Sequence, residues 1–317
     1  MESTLIWLWN NLIHYFILLT QHFNLDVIYL AWLWGLFKPL CLVLLALWLL
    51  PATILLFLYG SSLFLLIYKH WNRLKAAYSE DLWFGAINTL AVFWELQATI
   101  WHGYEVEGLE HIPVKGPVLI IFYHAAIPID FYYLYTKIWL YRNRRVRVVV
   151  DKFVFKIPGL ATLLEALEIQ PATAAMCKLM LDEGHVLAVS GVREALFSDN
   201  NYQLIWKDRK GFAKLAIDAK VPIIPMFTKN CREAFRSVSC GRRLLRYIYE
   251  KTRLPLVPIY GMFPVKMKTY LGKPIIHDPS QTPEELAKKV RESIEQMIDT
   301  YQRRPGSIIK AFFDRFF

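Results

Sequence analysis

Charge is missing from one long stretch of this chain: between Val27 and Tyr68 the only charged residue is Lys38. A bilayer core needs about 20 apolar residues in helical form, so the run is long enough for two passes. Pro39 and Pro51 interrupt it, and the expectation is a hairpin with passes over Val27–Leu49 and Ala52–Tyr68. A signal peptide is not expected, because residues 1–26 lack a basic start and an Ala-x-Ala site and carry Glu2 and Asp26. Residues 1–26 read instead as an interfacial segment, with Leu5–Leu19 as its amphipathic helix or as an ordinary packed one. Cysteine is scarce: Cys41, Cys177, Cys231 and Cys240 have neither metal nor disulfide spacing. No Asn-x-Ser/Thr acceptor occurs. Both absences fit a reduced, cytosol-facing domain without a metal. Internal repeats and low-complexity segments are absent as well.

What is present is apolar and basic. Hydrophobic residues make up 55% of the 317, above the soluble norm of about 45–50%. Positive charge follows the apolar block at Lys69, His70, Arg73 and Lys75, which places that side toward the cytosol. The net charge of +10 is dispersed, so nucleic acid is not the expected partner. Anionic headgroups and a polyphosphate-bearing cosubstrate explain it better. Residues 69–104 form a helical connector whose Trp83, Trp94 and Trp101 suit a membrane interface or a core equally.

From Glu105 short apolar runs alternate with helical patterns. Strands are expected at Pro117–Tyr123, Val146–Val150, Val186–Ala188, Val221–Met226 and Lys266–Leu271. Helices are expected at Phe131–Tyr141, Gly159–Leu167, Thr173–Asp182, Gly211–Ala219, Arg242–Thr252 and Pro283–Tyr301. This alternation predicts an α/β domain over 105–304 with a mostly parallel central sheet. Thr282-Pro283-Glu284-Glu285 is a strong helix start. Residues 305–317 form a Phe-rich tail.

Several constellations could carry chemistry. His124 leaves the first long strand and Asp130 opens the next helix, with Pro128 turning the chain between them. An imidazole oriented by a carboxylate takes a proton from a hydroxyl near neutral pH. A strand-end histidine satisfied by backbone, with Asp130 as a helix cap, is the plainer alternative. Lys152 and Lys156 flank Phe153 and Phe155 ahead of Pro158-Gly159; they either hold a phosphate or sit solvated. Ser190-Gly191-Val192-Arg193 follows a buried strand. Gly191 lets backbone N–H groups approach an anion, and Arg193 could steady an oxyanion or a phosphate. Ser190 is no elbow nucleophile, since position 188 is Ala. Arg142, Arg144, Arg145 and Arg147 either bind phosphates or make a solvated patch at a helix end.

The order of these segments resembles the PlsC-type glycerolipid acyltransferase superfamily over roughly residues 105–300. The resemblance rests on the His124–Asp130 turn, Lys152–Gly159, Gly191-Val192-Arg193-Glu194-Ala195, Lys210–Ala216, Val221–Pro225 and Leu271–Ile275. One branch with an N-terminal membrane hairpin shares Ala125–Tyr133 and Val192–Ala195. The resemblance implies endoplasmic reticulum residence and an acyl-CoA cosubstrate with no other cofactor. The implied acceptor is a mono- or diacylglycerol, with His124 as general base and Asp130 as its orienting carboxylate. It also places Gly191, Val192 and Arg193 in an anion-binding loop. That loop is shorter here than the superfamily's Pro-Glu-Gly-x-Arg, and no cation stands at Ile169-Gln170-Pro171-Ala172. The second departure favours a neutral glyceride acceptor or weakened activity. The alternatives are a lysophospholipid acyltransferase, with Lys152, Lys156 and Arg193 on the phosphate, and a silent lipid-binding relative.

Overall fold

The computed structural model describes Asn11, His14, Tyr15 and residues 27–316, apart from 73–81, 207–208, 239–240, 253–255, 277 and 279. At 27–31 and 192–193 it describes the backbone alone. The expected interfacial helix over 5–19 thus lies almost wholly outside the described residues. Two units are distinguished, Met1–Leu49 and Leu50–Phe317.

The apolar run is a single helix, α1 (Val27–Trp71), of 45 residues. This corrects the expected hairpin: Pro39 and Pro51 lie inside the helix and no turn separates two passes. Each proline removes one backbone hydrogen bond, whereas a turn in apolar surroundings would strand several polar groups. Among the described residues one stretch, Trp32–Trp71, is long and apolar enough to cross a membrane. In the first unit Trp32, Trp34, Leu40, Leu45 and Trp48 are exposed. In the second unit Ile54 and Leu65 are buried.

The rest of the second unit runs α2 (Phe84–His102), β1 (Glu105–Glu107), β2 (Val118–Phe122), α3 (Ile129–Arg142), β3 (Val146–Val150), a 3-10 turn (Lys152–Lys156), α4 (Ala161–Ala166), β4 (Gln170–Pro171), α5 (Ala174–Asp182), β5 (Val186–Ser190), α6 (Val192–Phe197), α7 (Gly211–Ala219), β6 (Ile223–Lys229), α8 (Cys231–Ala234), β7 (Phe235–Ser237), α9 (Arg242–Thr252), β8 (Ile259–Gly261), β9 (Lys268–Leu271), α10 (Pro283–Tyr301) and α11 (Ile308–Phe313). Seven strands form one sheet in the order β1-β9-β6-β2-β5-β3-β4. All neighbours are parallel except β6 and β9. β7 and β8 make a separate antiparallel pair.

Every residue of β2 is buried, as a parallel strand covered on both faces requires. Its side chains alternate. Leu119 and Ile121 join Leu187, Ile223 and Phe227 under residues of α7 and α10. Val118, Ile120 and Phe122 join Val186, Ala188 and Ile224 under Phe131, Leu134 and Ile138 of α3. Trp94 of α2 is buried in the core, and Trp101 donates from its indole to the Met262 carbonyl at 2.9 Å. Those two tryptophans serve packing, so α2 packs into this unit.

Candidate active site

In open α/β sheets ligands bind beyond the carboxyl ends of the strands, where the connections diverge. Here β2 leads through α3 to β3 on one side, while β5 leads to β6 on the other. His124 lies two residues past β2, Gly191 follows β5 directly, and Cys231-Arg232 follows β6. A cavity of about 300 Å³ sits at this edge, lined by Ile121 and Phe122 of β2, Val189 and Ser190 of β5, Gly191, Trp206 and Phe212 among others.

His124 is half-buried. Its ring stacks on Phe122, with centroids 6.0 Å apart, and Phe122 stacks on Phe131 at 5.1 Å. Nδ1 lies 2.6 Å from the carbonyl of Ala125. A carbonyl only accepts, so Nδ1 carries the hydrogen and Nε2 keeps its lone pair. Burial, opposed by this hydrogen bond and helped by the Arg232 cation, brings the imidazole pKa down to about 4. The ring is therefore neutral at neutral pH, the form a general base needs.

Asp130, in the first turn of α3, is fully buried. The Thr228 hydroxyl and the amides of Asp130 and Phe131 favour its charged form, but burial outweighs them and raises the pKa to about 6. Neither carboxylate oxygen meets full hydrogen-bond geometry with any described group. Thr228 instead pairs with Thr269 at 2.8 Å, and Thr269 with Tyr104 at 2.7 Å. The expected hydrogen bond from His124 to Asp130 is not formed: the peptide carbonyl of Ala125 does the orienting. The reason is local, since Ala125 is the next residue and its carbonyl meets Nδ1 without any turn closing.

The other expected site residues separate. Gly191 lines the cavity, and a Cβ there would collide with the Glu194 carboxylate. The close neighbour is the tip of a flexible acid and not backbone, so a side chain here would first have to displace Glu194. That acid occupies ground which the sequence assigns to an anion. Val192 and Arg193 stand in the first turn of α6; their side chains lie outside the described residues. Lys152 and Lys156 are exposed and do not line the cavity. Val154 and Ile157 pack on the apolar cluster around Leu65, which leaves the lysines in solvent. The Ser62 hydroxyl donates to Gly159 O at 2.5 Å and holds this turn on α1.

The four-arginine cluster belongs to the opposite edge of the sheet. Arg142 donates to Ile112 O at 2.7 Å, and Arg144 to Pro113 O at 2.8 Å and Gly184 O at 2.9 Å. Arg145 and Arg147 meet Glu168. These cations tie down loops at the amino ends of β2, β3 and β5.

Arg232 was not anticipated. It is 2% exposed and donates to Glu194 O at 3.1 Å, Ser198 O at 2.5 Å and the Ser237 hydroxyl at 3.3 Å. Among the described residues its hydrogen-bond acceptors are neutral, and its field reaches His124, Tyr123 and Glu233. Its place just past a central parallel strand was the available signal. Among the described residues no group of His, Cys, Asp or Glu gathers as a metal site.

Comparison with known proteins gives the family. A family model described as acyltransferase matches residues 103–229. The chain is 53% identical over 290 residues to the "DGAT1/2-independent enzyme synthesizing storage lipids" of Bos taurus, covering 91% of this chain and 84% of the bovine one. The Homo sapiens protein of that name is 52% identical over 290 residues, with 91% and 87% covered. The crystal structure of the 1-acyl-sn-glycerophosphate acyltransferase PlsC from Thermotoga maritima superposes with a TM-score of 0.53 at 16% identity, over 77% of this chain and 94% of that one. At that identity the likeness concerns the fold alone. These relatives, with the family model, place the chain in the PlsC-type acyltransferase family.

Proposed function

We propose that this protein is a membrane-anchored, acyl-CoA-dependent glycerolipid O-acyltransferase. The acceptor is the free hydroxyl of a mono- or diacylglycerol, and the active domain faces the cytosol at the endoplasmic reticulum. The observation that carries this is the neutral imidazole of His124. Its Nδ1–H is committed to Ala125 O, and its ring stacks on Phe122, which lines the apolar cavity at this sheet edge. The relatives' storage-lipid name supports the same substrate class.

Nε2 takes the proton of the glyceride hydroxyl as its oxygen bonds to the thioester carbonyl carbon. The tetrahedral centre collapses, the carbon–sulfur bond breaks, and the leaving sulfur recovers the proton from the imidazolium. The products are an ester and free CoA, with no covalent enzyme intermediate, because both substrates are held together. Backbone N–H groups at Gly191–Val192 and the Arg193 cation are assigned to the oxyanion once the Glu194 carboxylate has swung aside. The absence of a cation at 169–172 and the structural use of Arg142, Arg144, Arg145 and Arg147 favour a neutral acceptor over a lysophospholipid.

The test is acyl transfer by the purified full chain, with diacylglycerol and lysophosphatidic acid as rival acceptors. Wild type should prefer diacylglycerol, and His124→Ala should lose on the order of 10²–10⁴ in rate while staying in the membrane. A His124→Ala protein that works as well as wild type would refute the assignment, and lysophosphatidic acid preference would move it to phospholipid synthesis. Acyl-CoA binding without turnover would mark a silent relative.

A further inference from the structure

Beside the cavity lined by Ile121 and Phe122 lies a second cleft of about 230 Å³. The two share Trp206 and Arg209 as lining residues. The walls differ in chemistry. The first cavity is walled mainly by Ile121, Phe122, Val189 and Phe212. The second brings together Arg209, Lys210, Lys288 and Arg291 against one carboxylate, Glu284. Two separate pieces of chain meet to build it: the turn before α7 and the first turns of α10. Arg209 makes no ion pair among the described residues. Lys210 pairs with Glu284. Lys288 and Arg291 reach Glu292 and Glu295 one turn along their own helix, at 3.8 and 2.9 Å. Such exposed pairs along a helix are weak, so a multiply charged ligand can replace them.

We propose that this cleft is the docking site for the nucleotide end of acyl-CoA, an adenosine carrying a 3′-phosphate and a diphosphate. The inference deepens the acyl-CoA assignment and rests on it. That donor is apolar at one end and carries roughly four negative charges at the other. It needs a greasy pocket and a cationic one side by side, and the shared wall at Trp206 and Arg209 supplies the junction. Arg209 is placed to meet the diphosphate where it passes from one compartment to the other. Lys288 and Arg291, farther along α10, suit the 3′-phosphate. Glu284 opposes the ligand and holds Lys210 until it arrives.

The test uses the full chain in detergent micelles, with acyl-CoA varied at saturating diacylglycerol and CoA binding measured by calorimetry. The double variant Lys288→Glu, Arg291→Glu should raise KM for acyl-CoA about tenfold or more, since charge-assisted contacts to phosphate are lost, with kcat little changed. With an acyl thioester of dephospho-CoA, wild type should lose affinity and the double variant should lose much less. Glu284→Gln should act the opposite way and lower KM for acyl-CoA, which a merely structural role would not do. Turnover with acyl-CoA but an unchanged KM in the double variant overturns the cleft alone. A KM effect confined to lysophosphatidic acid overturns it in favour of a lipid phosphate. Wild type that neither binds CoA nor turns over acyl-CoA overturns the donor assignment beneath it.

Discussion

Two residues six apart, His124 and Asp130, end up in separate hydrogen-bonding worlds. Asp130 is ionised above a pKa of about 6 in a site that burial has made hostile to charge. A group shifted upward from 3.8 by burial destabilises the fold at pH 7.5, by up to about 3 kcal/mol. Asp130→Asn should therefore raise the thermal midpoint at pH 7.5. It should also reduce acyl transfer far less than His124→Ala does, because the tautomer of His124 is set by Ala125. A lowered midpoint, or activity lost as fully as in His124→Ala, would show instead that the carboxylate is needed where it stands. Much of the site was legible in sequence: a histidine at a strand exit, a glycine at another, an acid after a turn. The carbonyl clamp on Nδ1 was not, since a backbone atom leaves no mark in a residue pattern. Arg232 escaped for a related reason, as a lone arginine in a chain with many.

At the scale of elements the apolar runs and caps were strong signals. All five expected strands and all six expected helices form, and α7, α9 and α10 do so with their expected bounds. The Thr282 cap is reciprocal: its side chain accepts from Glu285 N at 3.3 Å, while the Glu285 carboxylate accepts from Thr282 N at 2.9 Å. Thr282→Ala should cost about 1 kcal/mol of stability, visible as a lower denaturant midpoint with an unchanged slope; no shift would mean the helix start is held by packing alone. The elements that sequence left hidden are short or irregular: β1, the two-residue β4, the β7–β8 pair and the short helices α6, α8 and α11. Strands of two or three residues show no period, and their pairing is decided by distant partners. The unbroken α1 was hidden differently, because proline ends helices in water far more reliably than in apolar surroundings.

For the whole molecule, buried titratable groups set a pH window. The imidazoles of His102 and His124 fall from 6.5 to about 4, and His185 also shifts down. As pH drops from 6.5 toward 4, the unfolded chain binds protons that the folded protein refuses, so stability falls. Asp130 and Glu233 shift upward and act in the opposite sense. Unfolding of the detergent-held protein should come more easily at pH 5 than at pH 7. Asp130→Asn should steepen that decline, because one opposing group is gone. A flat profile, or one that Asp130→Asn leaves unaltered, would show that these groups titrate as they do in the unfolded chain.

The Ala125 carbonyl has one more consequence. An amide oxygen neither titrates in the physiological range nor disappears when a side chain is exchanged. The proton-accepting face of His124 is thus guaranteed by the main chain itself, and only a change in the path of the peptide between residues 124 and 128 could turn the ring around.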